Sequence, residues 1–316
     1  MSEAPGAVGL RSRRPSGRRP LIQRRRGNAT VRDPKRRQRL YGLLLVLPSF
    51  CVICMLVVFP IGRSVALSFT DPETGVFSLI NYRQILTEPY MVANVRYTLV
   101  VVAFTVLIVG IVSYLLALYL SFTDSWFSRI MSKLYLIPRF IPTIVAVYAI
   151  MNVVKDTGAV NRILLALFGI DFKPGLMYTQ KGIILANCWF NFPFSIMLIS
   201  ASLQGIPRSI IESARDVGAG KLRVFFYMIL PLSFNEFLIS VTFVFMGNIA
   251  AFTTPYLMGA RAPMMLGVAL QQEFSTFQHL ELSAAISVVL FLLSSVMGGF
   301  YIYKSLKANK WEVRDR

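Results

Sequence analysis

Histidine and cysteine are scarce in this 316-residue chain: His279 stands alone, and there are three cysteines. A single imidazole leaves no Ser/His/Asp or Cys/His constellation, and with only Glu273 and Glu281 near it in sequence, His279 is expected in an exposed loop rather than at a metal. Cys51, Cys54 and Cys188 all lie in apolar runs, so no disulfide framework is implied. The Cys51-Val52-Ile53-Cys54 spacing lacks the further ligands or electropositive setting of a metal or redox site, and the three thiols are expected as buried apolar filler. A phosphate-cradling GxxxxGK[ST] pattern is missing too, so this chain carries no ATP site of that kind. Charge is also short, at 15% of residues against about 25% in soluble domains. That shortage excludes an ordinary soluble protein.

What is present is apolar length and a basic excess. Hydrophobic residues make up 55% of the chain, yet its formal net charge is +18. Thirteen of the 33 Lys and Arg residues fall within residues 1–40, which hold almost no large apolar side chains. Such a segment cannot bury enough surface to offset its ordering entropy, and a disordered basic tail is expected. Six apolar stretches follow, near 41–68, 97–121, 133–154, 182–204, 231–256 and 283–304. Each approaches the about 20 residues that a helix needs to cross a bilayer core. The expected fold class is therefore an all-α membrane protein with six transmembrane helices, a span domain over 41–304 and a short end over 305–316. The first span is too long for a signal-peptide core and is expected to be retained.

Lys and Arg gather on cytoplasmic loops. With a cytoplasmic N-terminus, 24 of the 33 basic residues fall on that side, so both termini are expected inside. The tail then meets anionic headgroups, and membrane lipid rather than nucleic acid is its expected partner. Tyr41, Trp126, Tyr135, Tyr301 and Tyr303 sit near span ends, as interfacial rings prefer. Pro48, Pro60, Pro138, Pro142, Pro193 and Pro255 interrupt or end spans, and so many breaks predict a bundle with an internal cavity.

Polar residues inside the spans are candidates for a translocation path. Asn187, Asn191 and Ser195 recur every four residues and share a helix face. Asn191 lies about 15 Å deep, where an amide either bonds to a neighbouring helix or lines a wet path. In the fifth span Glu236 and Ser240 share a face with Ser233, and Asn248 follows. Glu236 either pairs with Arg139, caps the bend after Pro231 or attracts a cationic solute; pairing or capping is the expected role. Arg139, about six residues into the third span, reaches the headgroups by snorkelling or serves transport.

The most specific signal lies between the fourth and fifth spans, over 205–230. Pro207 suits a helix start, Gly218 a C-terminal cap, and Lys221 to Tyr227 a second amphipathic piece. A short helix with one apolar side, held between two spans, makes a docking knob. Glu212-Ser213-Ala214, Gly218, Met228 and Leu230-Pro231 reproduce the spacing Glu-Ala-Ala, three residues, Gly, nine residues, Ile, one residue, Leu-Pro. With Ser213 for Ala and Met228 for Ile, this resembles the inner-membrane permease subunits of binding-protein-dependent ABC importers of type I. The likeness extends over nearly the whole chain after residue 40. Ser78-Leu79-Ile80-Asn81-Tyr82 and Tyr97-Thr98-Leu99 look like that family's approach to its second span. Phe252-Thr253-Thr254-Pro255-Tyr256-Leu257-Met258-Gly259 looks like a stretch of its spermidine/putrescine-type subgroup, whose members also serve ferric ion, phosphonate, thiamine and opine-like solutes.

The resemblance implies a permease that pairs with a second permease, a heterodimer being expected, and with two copies of an ATP-binding subunit that holds ATP and Mg. It also implies an extracytoplasmic solute-binding protein and a cytoplasmic coupling helix. Carried over residue by residue, Glu212, Ser213, Ala214 and Gly218 contact the ATPase with Arg215 and Asp216 at the rim, and Leu230 and Pro231 complete the motif. A small polar solute of the polyamine, opine, phosphonate or sugar range is expected. A secondary transporter or channel is the alternative, but it would need several intramembrane carboxylates or an inverted repeat, and neither is evident.

Overall fold

The computed structural model describes residues 45–312, with side chains through residue 304. The expected tail over 1–40, Tyr41, and the side chains of Lys307, Lys310, Arg314 and Arg316 lie outside that range. The chain divides into two units, Met1–Leu56 and Val57–Arg316; the described part of the first is helical. The described residues of the second are helical apart from turns, loops and one isolated bridge between Thr70 and Phe77.

Among the described residues, six helical stretches are long and apolar enough to cross a membrane. They are α1 (Leu45–Ser68), α3 (Pro89–Phe122), the segmented stretch Thr143–Phe168, α7 (Gln180–Gly205), α9 (Lys221–Ile249) and the Leu280–Lys304 part of α12 (Leu280–Glu312). Between them lie α2 (Ile80–Thr87), α4 (Trp126–Leu134), α8 (Arg208–Asp216), α10 (Thr253–Met258) and α11 (Leu266–Ser275). Thr143–Phe168 consists of α5 (Thr143–Val154) and α6 (Ala159–Phe168), separated at 155–158.

Three span boundaries depart from the sequence reading. The third span, expected over 133–154, is broken: α4 stops at Leu134, a 3-10 turn covers Ile137–Phe140, and α5 starts after Pro142. Pro138 and Pro142 cannot donate to a helical ladder, so they divide what hydropathy reads as one run. The fifth span does not begin at Pro231. It runs unbroken from Lys221, because a π-helical turn at Phe225–Ile229 precedes Pro231. The wider turn accommodates a proline ring that would otherwise collide with the carbonyl four residues earlier. The same pattern recurs in α1, where a π turn at Cys54–Val58 precedes Pro60. Finally, α9 ends at Ile249, and Pro255 belongs to the separate α10.

The core of the second unit is built on α3, α7 and α9. At Gly110 α3 faces α9, where a Cβ would stand 3.5 Å from Phe237 and Val241, in ordinary van der Waals contact. One buried cluster joins Met91, Val101 and Val102 of α3 to Ile183, Ile249, Leu266 and Ile286. Asn94 and Thr98 tie the chain entering α11 to the start of α3. Asn94 Oδ1 accepts from the Met264 N–H at 2.9 Å, and Thr98 Oγ1 accepts from the Leu266 N–H at 2.8 Å. A second cluster gathers Tyr114 and Ala117 with Ile196, Ile199 and Leu203 at the opposite ends of the same helices.

The connection between α6 and α7 is ordered around Asn161. Its amide donates to the Asp156 carbonyl at 2.7 Å and to Asp171 at 3.1 Å, and its oxygen accepts from the Phe172 N–H at 2.7 Å. Lys173 sits 2.7 Å from Asp171; with the Asn161 amide it holds that carboxyl below its ordinary range, while the carboxylate raises the lysine.

The thiols do not share one environment. Cys188 is buried, whereas Cys54 is partly exposed and Cys51 exposed. A membrane span is apolar on every side, so hydropathy cannot separate a packed thiol from one on the outer surface.

Candidate functional site

The segment between α7 and α9 is built by local rules. Ile206 ends α7 in an extended conformation, and Pro207, also non-helical, positions the start of α8. Gly218 closes α8 at φ +82°, a region that a side chain adopts only with strain. Its N–H donates to the Arg215 carbonyl at 2.8 Å, and the Ala219 N–H donates to the Ala214 carbonyl at 3.0 Å. That pair of bonds is the Schellman arrangement, which satisfies two carbonyls at a helix end. Gly218 thus turns the chain within two residues and sends it into α9.

Helix α8 presents two different sides. Ile211 and Ala214 are buried against Leu203, Ile206, Val224 and Ile229. Arg208, Glu212, Ser213, Arg215 and Asp216 are exposed, and Val217 is 85% exposed. A nine-residue helix is too short to persist alone in water, so burial of Ile211 and Ala214 is what holds the exposed side in place.

Tyr114, which sequence reasoning passed over, anchors this arrangement. Its ring packs edge-on against Phe225 of the π turn at 5.9 Å and Phe237 of α9 at 5.5 Å. Its hydroxyl lies 2.6 Å from Ser233 Oγ. A tyrosine in a span reads as an interfacial anchor or as packing, and only its neighbours separate this position from others.

On one side of α8 a cleft of about 1010 Å³ opens between α8, α4, the end of α3 and the start of α9. Arg129, Lys133, Arg208, Arg215 and Lys221 line it with Asp124 and Glu212. Arg129 pairs with Asp124 at 3.5 Å, both exposed; among the described residues no other ion pair forms there. On the other side lies a shallower hollow bounded by Ser209, Ile210, Ser213, Val217 and Met228. Of the motif residues, Glu212, Ser213, Ala214, Arg215, Asp216 and Gly218 come together on this knob. Leu230 and Pro231 do not; they sit inside α9, beyond the π turn.

The intramembrane candidates separate by burial. Asn187, Ser195, Ser240 and Asn248 are buried within the chain itself, whereas Asn191 and Glu236 are partly accessible. Asn191 donates to the Asn187 carbonyl at 2.7 Å and Asn248 to the Val244 carbonyl at 2.6 Å, so both amides serve their own helices. The Asn187 amide nitrogen and the hydroxyls of Ser195 and Ser240 have no partner among the described residues. The expected pairing of Glu236 with Arg139 is replaced by two other contacts. Glu236 accepts from Ser202 Oγ at 2.9 Å, and the Arg139 guanidinium lies 5.5 Å over the Phe194 ring. The break at Ile137–Phe140 carries Arg139 on a turn instead of a helix, which is why a helical estimate of its depth fails.

His279, expected in an exposed loop, lies in one with its side chain 62% exposed, 2.8 Å from the buried Glu273. Among the described residues no group of three metal-ligating side chains occurs.

Comparison with known proteins places this geometry in context. The family model for the binding-protein-dependent transport system inner membrane component matches residues 113–307. Over 235 residues the chain is 24% identical to the spermidine/putrescine transport system permease protein PotB of Escherichia coli, covering 74% of this chain and 85% of that protein. It is 29% identical over 281 residues to the sulfoquinovosyl glycerol transport system permease protein SmoG of Agrobacterium fabrum, covering 84% and 90%. Among solved structures, a bacterial ABC transporter involved in the import of the acidic polysaccharide alginate superposes with a TM-score of 0.73 at 15% identity, over 86% of this chain and 96% of that one. At that identity the likeness is one of fold.

Proposed function

Because the chain belongs to the binding-protein-dependent transport system inner membrane components, we propose that its exposed helix α8 docks on an ATP-hydrolysing subunit and couples hydrolysis there to transport here. The protein is a permease subunit of an ABC importer, a multi-pass component of the bacterial inner membrane and a transport component rather than an enzyme. The observation that carries the docking reading is the two-sided α8. Its apolar side is fixed by Ile211 and Ala214, and its polar side, from Arg208 to Asp216, is held clear of the bundle by the Gly218 turn.

In this reading Glu212, Ser213 and Gly218 form the contact, with Arg215 and Asp216 at its rim; Ala214, expected in the contact, is buried against the bundle and instead holds α8 in place. Leu230 and Pro231 act at one remove, by shaping the helix that follows the π turn. ATP and Mg belong to the docked subunit, present in two copies. A second, different permease completes the path, and an extracytoplasmic binding protein delivers the solute. The Lys and Arg distribution supports a topology with both termini and α8 in the cytoplasm. Relatives named for spermidine/putrescine and for sulfoquinovosyl glycerol support a small polar solute. Asn191 and Glu236, the partly accessible polar residues of α7 and α9, are the best placed to meet it. Asn187, Ser195, Ser240 and Asn248 would contribute from within the bundle.

Co-purification tests the docking. Glu212→Ala and Gly218→Pro variants should reach the membrane and fail to retain the ATPase. Recovery of a fully active complex from either would overturn the assignment.

A further inference from the structure

Far from α8, at the opposite end of α3, lies a cavity of about 400 Å³. Asn94 at its edge and Leu118 at the cleft beside α8 are 24 positions apart on one helix, about 36 Å at helical rise. The cavity is bounded by Gln84 of α2, Tyr90 at the start of α3, Gln272 and Glu273 of α11, and Phe277 and His279 of the turn into α12.

Glu273 is the only charged side chain among the described residues to be buried, at 7% exposure. A carboxylate taken out of water costs several kcal/mol unless it is paired and hydrogen-bonded. One oxygen, Oε2, meets His279 Nδ1 at 2.8 Å, and the His279 N–H donates to the Glu273 carbonyl at 2.9 Å. The other carboxylate oxygen makes no hydrogen bond to a described residue and is not sealed from solvent, so it is free to accept from a guest. Gln84 spends its amide N–H on the Tyr90 hydroxyl at 3.3 Å, which leaves its carbonyl oxygen as an acceptor. Tyr90 and Phe277, both about half exposed, also line the cavity, and the Phe277 ring stacks on His279 at 5.9 Å.

A buried carboxylate, an idle amide oxygen and aromatic faces select by chemistry. An anion would be repelled by Glu273, and a neutral guest would leave its charge uncompensated. A metal ion would need more carboxylate or imidazole ligands than the described residues supply here, and aromatic rings are no ligands for it. An alkylammonium group fits each feature: it is cationic, carries several N–H donors, and is attracted by ring faces. We propose that this cavity is a binding site for a primary alkylammonium group, with Glu273 as its counter-ion. His279, mostly exposed, is the internal partner of that carboxylate when no guest is present. The site is independent of the docking reading, because none of its residues lies on α8 or in the cleft beside it.

Calorimetric titration of the full chain, purified with its partner subunits, tests this directly with butylammonium as the probe and butan-1-ol and calcium as controls. Butylammonium should bind saturably, Glu273→Gln should weaken it at least tenfold, and His279→Gln should retain binding. Glu273→Gln should still retain the ATPase, which separates failure of this site from failure of docking. The proposal is overturned if millimolar butylammonium gives no saturable binding, if butan-1-ol binds equally well, or if calcium displaces the amine at equal concentration. Glu273→Gln binding like the parent protein overturns it as well. Should that variant not fold, Tyr90→Leu decides instead: a tenfold loss is expected, and an unchanged affinity overturns the site.

Discussion

The hydroxyls of Tyr114 and Ser233 lie 2.6 Å apart and both residues are buried, joining the second half of α3 to α9 four residues beyond the π turn. Ser233 also donates to the Ile229 carbonyl at 2.8 Å, the last residue of that turn. Tyr114 therefore links the bundle core to the point where α9 leaves it for α8.

Tyr114→Phe keeps the ring contacts with Phe225 and Phe237 and removes one hydrogen bond, so it should cost about 0.5–1.5 kcal/mol. Tyr114→Ala empties the site and should cost about 3–5 kcal/mol. Denaturant unfolding of the purified permease measures both, and an alanine variant as stable as the phenylalanine variant contradicts the packing role.

Gly218→Ala forces a side chain onto a residue at φ +82° and should destabilise the turn by about 1–2 kcal/mol, with no neighbour in the way of the added methyl. The expected phenotype is weaker retention of the ATPase, milder than that of Gly218→Pro. Equal retention by the parent and both variants would show that the turn does not govern docking.

Arg139 and Phe194 should be coupled, and Arg139 and Glu236 should not. A double-mutant cycle of Arg139→Gln with Phe194→Leu should return about 0.5–2 kcal/mol. The cycle of Arg139→Gln with Glu236→Gln should be additive within about 0.5 kcal/mol. A large coupling in the second cycle would restore the ion pair.

Acid should loosen the connection between α6 and α7 before it affects the bundle. Lys173 and the Asn161 amide lower the folded pKa of Asp171, so its contribution is present above the unfolded value of about 3.9 and is lost as pH falls through the folded one. Lys173 works in reverse: its raised pKa gives a contribution present below the unfolded value and lost as pH rises through the folded one. The protection factor of the Phe172 amide, taken relative to its intrinsic exchange rate at each pH, should fall in acid, and Asp171→Asn should abolish that fall.

Orientation is testable with single cysteines in a background where Cys51, Cys54 and Cys188 are alanine. An impermeant maleimide should label position 209 only from the cytoplasmic side and position 276 only from outside. The reverse pattern would invert the topology.

Much of this architecture is legible in the residues because membrane burial is a composition rule. About 20 apolar residues in a row have few alternatives to a spanning helix, and the Glu212 to Pro231 spacing, the Pro207 start and the Gly218 turn depend on near neighbours. Those readings need no knowledge of distant contacts. Burial inside a span is different, since lipid and protein interior are equally apolar. Asn187, Ser195, Ser240 and Asn248 were legible as polar residues in a span but not as interior ones, and Cys51 was not distinguishable from Cys188.

The sequence by itself determined the helical class, the number of spanning stretches among the described residues, the basic asymmetry and the position of the short helix α8, because each follows from local pattern and from the free energy of moving residues between water and hydrocarbon. Tertiary structure alone decided that Pro231 lies within a continuous α9, that Arg139 meets Phe194 instead of Glu236, and that Tyr114 holds Ser233. It alone also brought Gln84, Tyr90 and Phe277 around Glu273. Each of these depends on contacts between residues far apart along the chain or on a backbone adjustment that packing selects, and no local pattern encodes them.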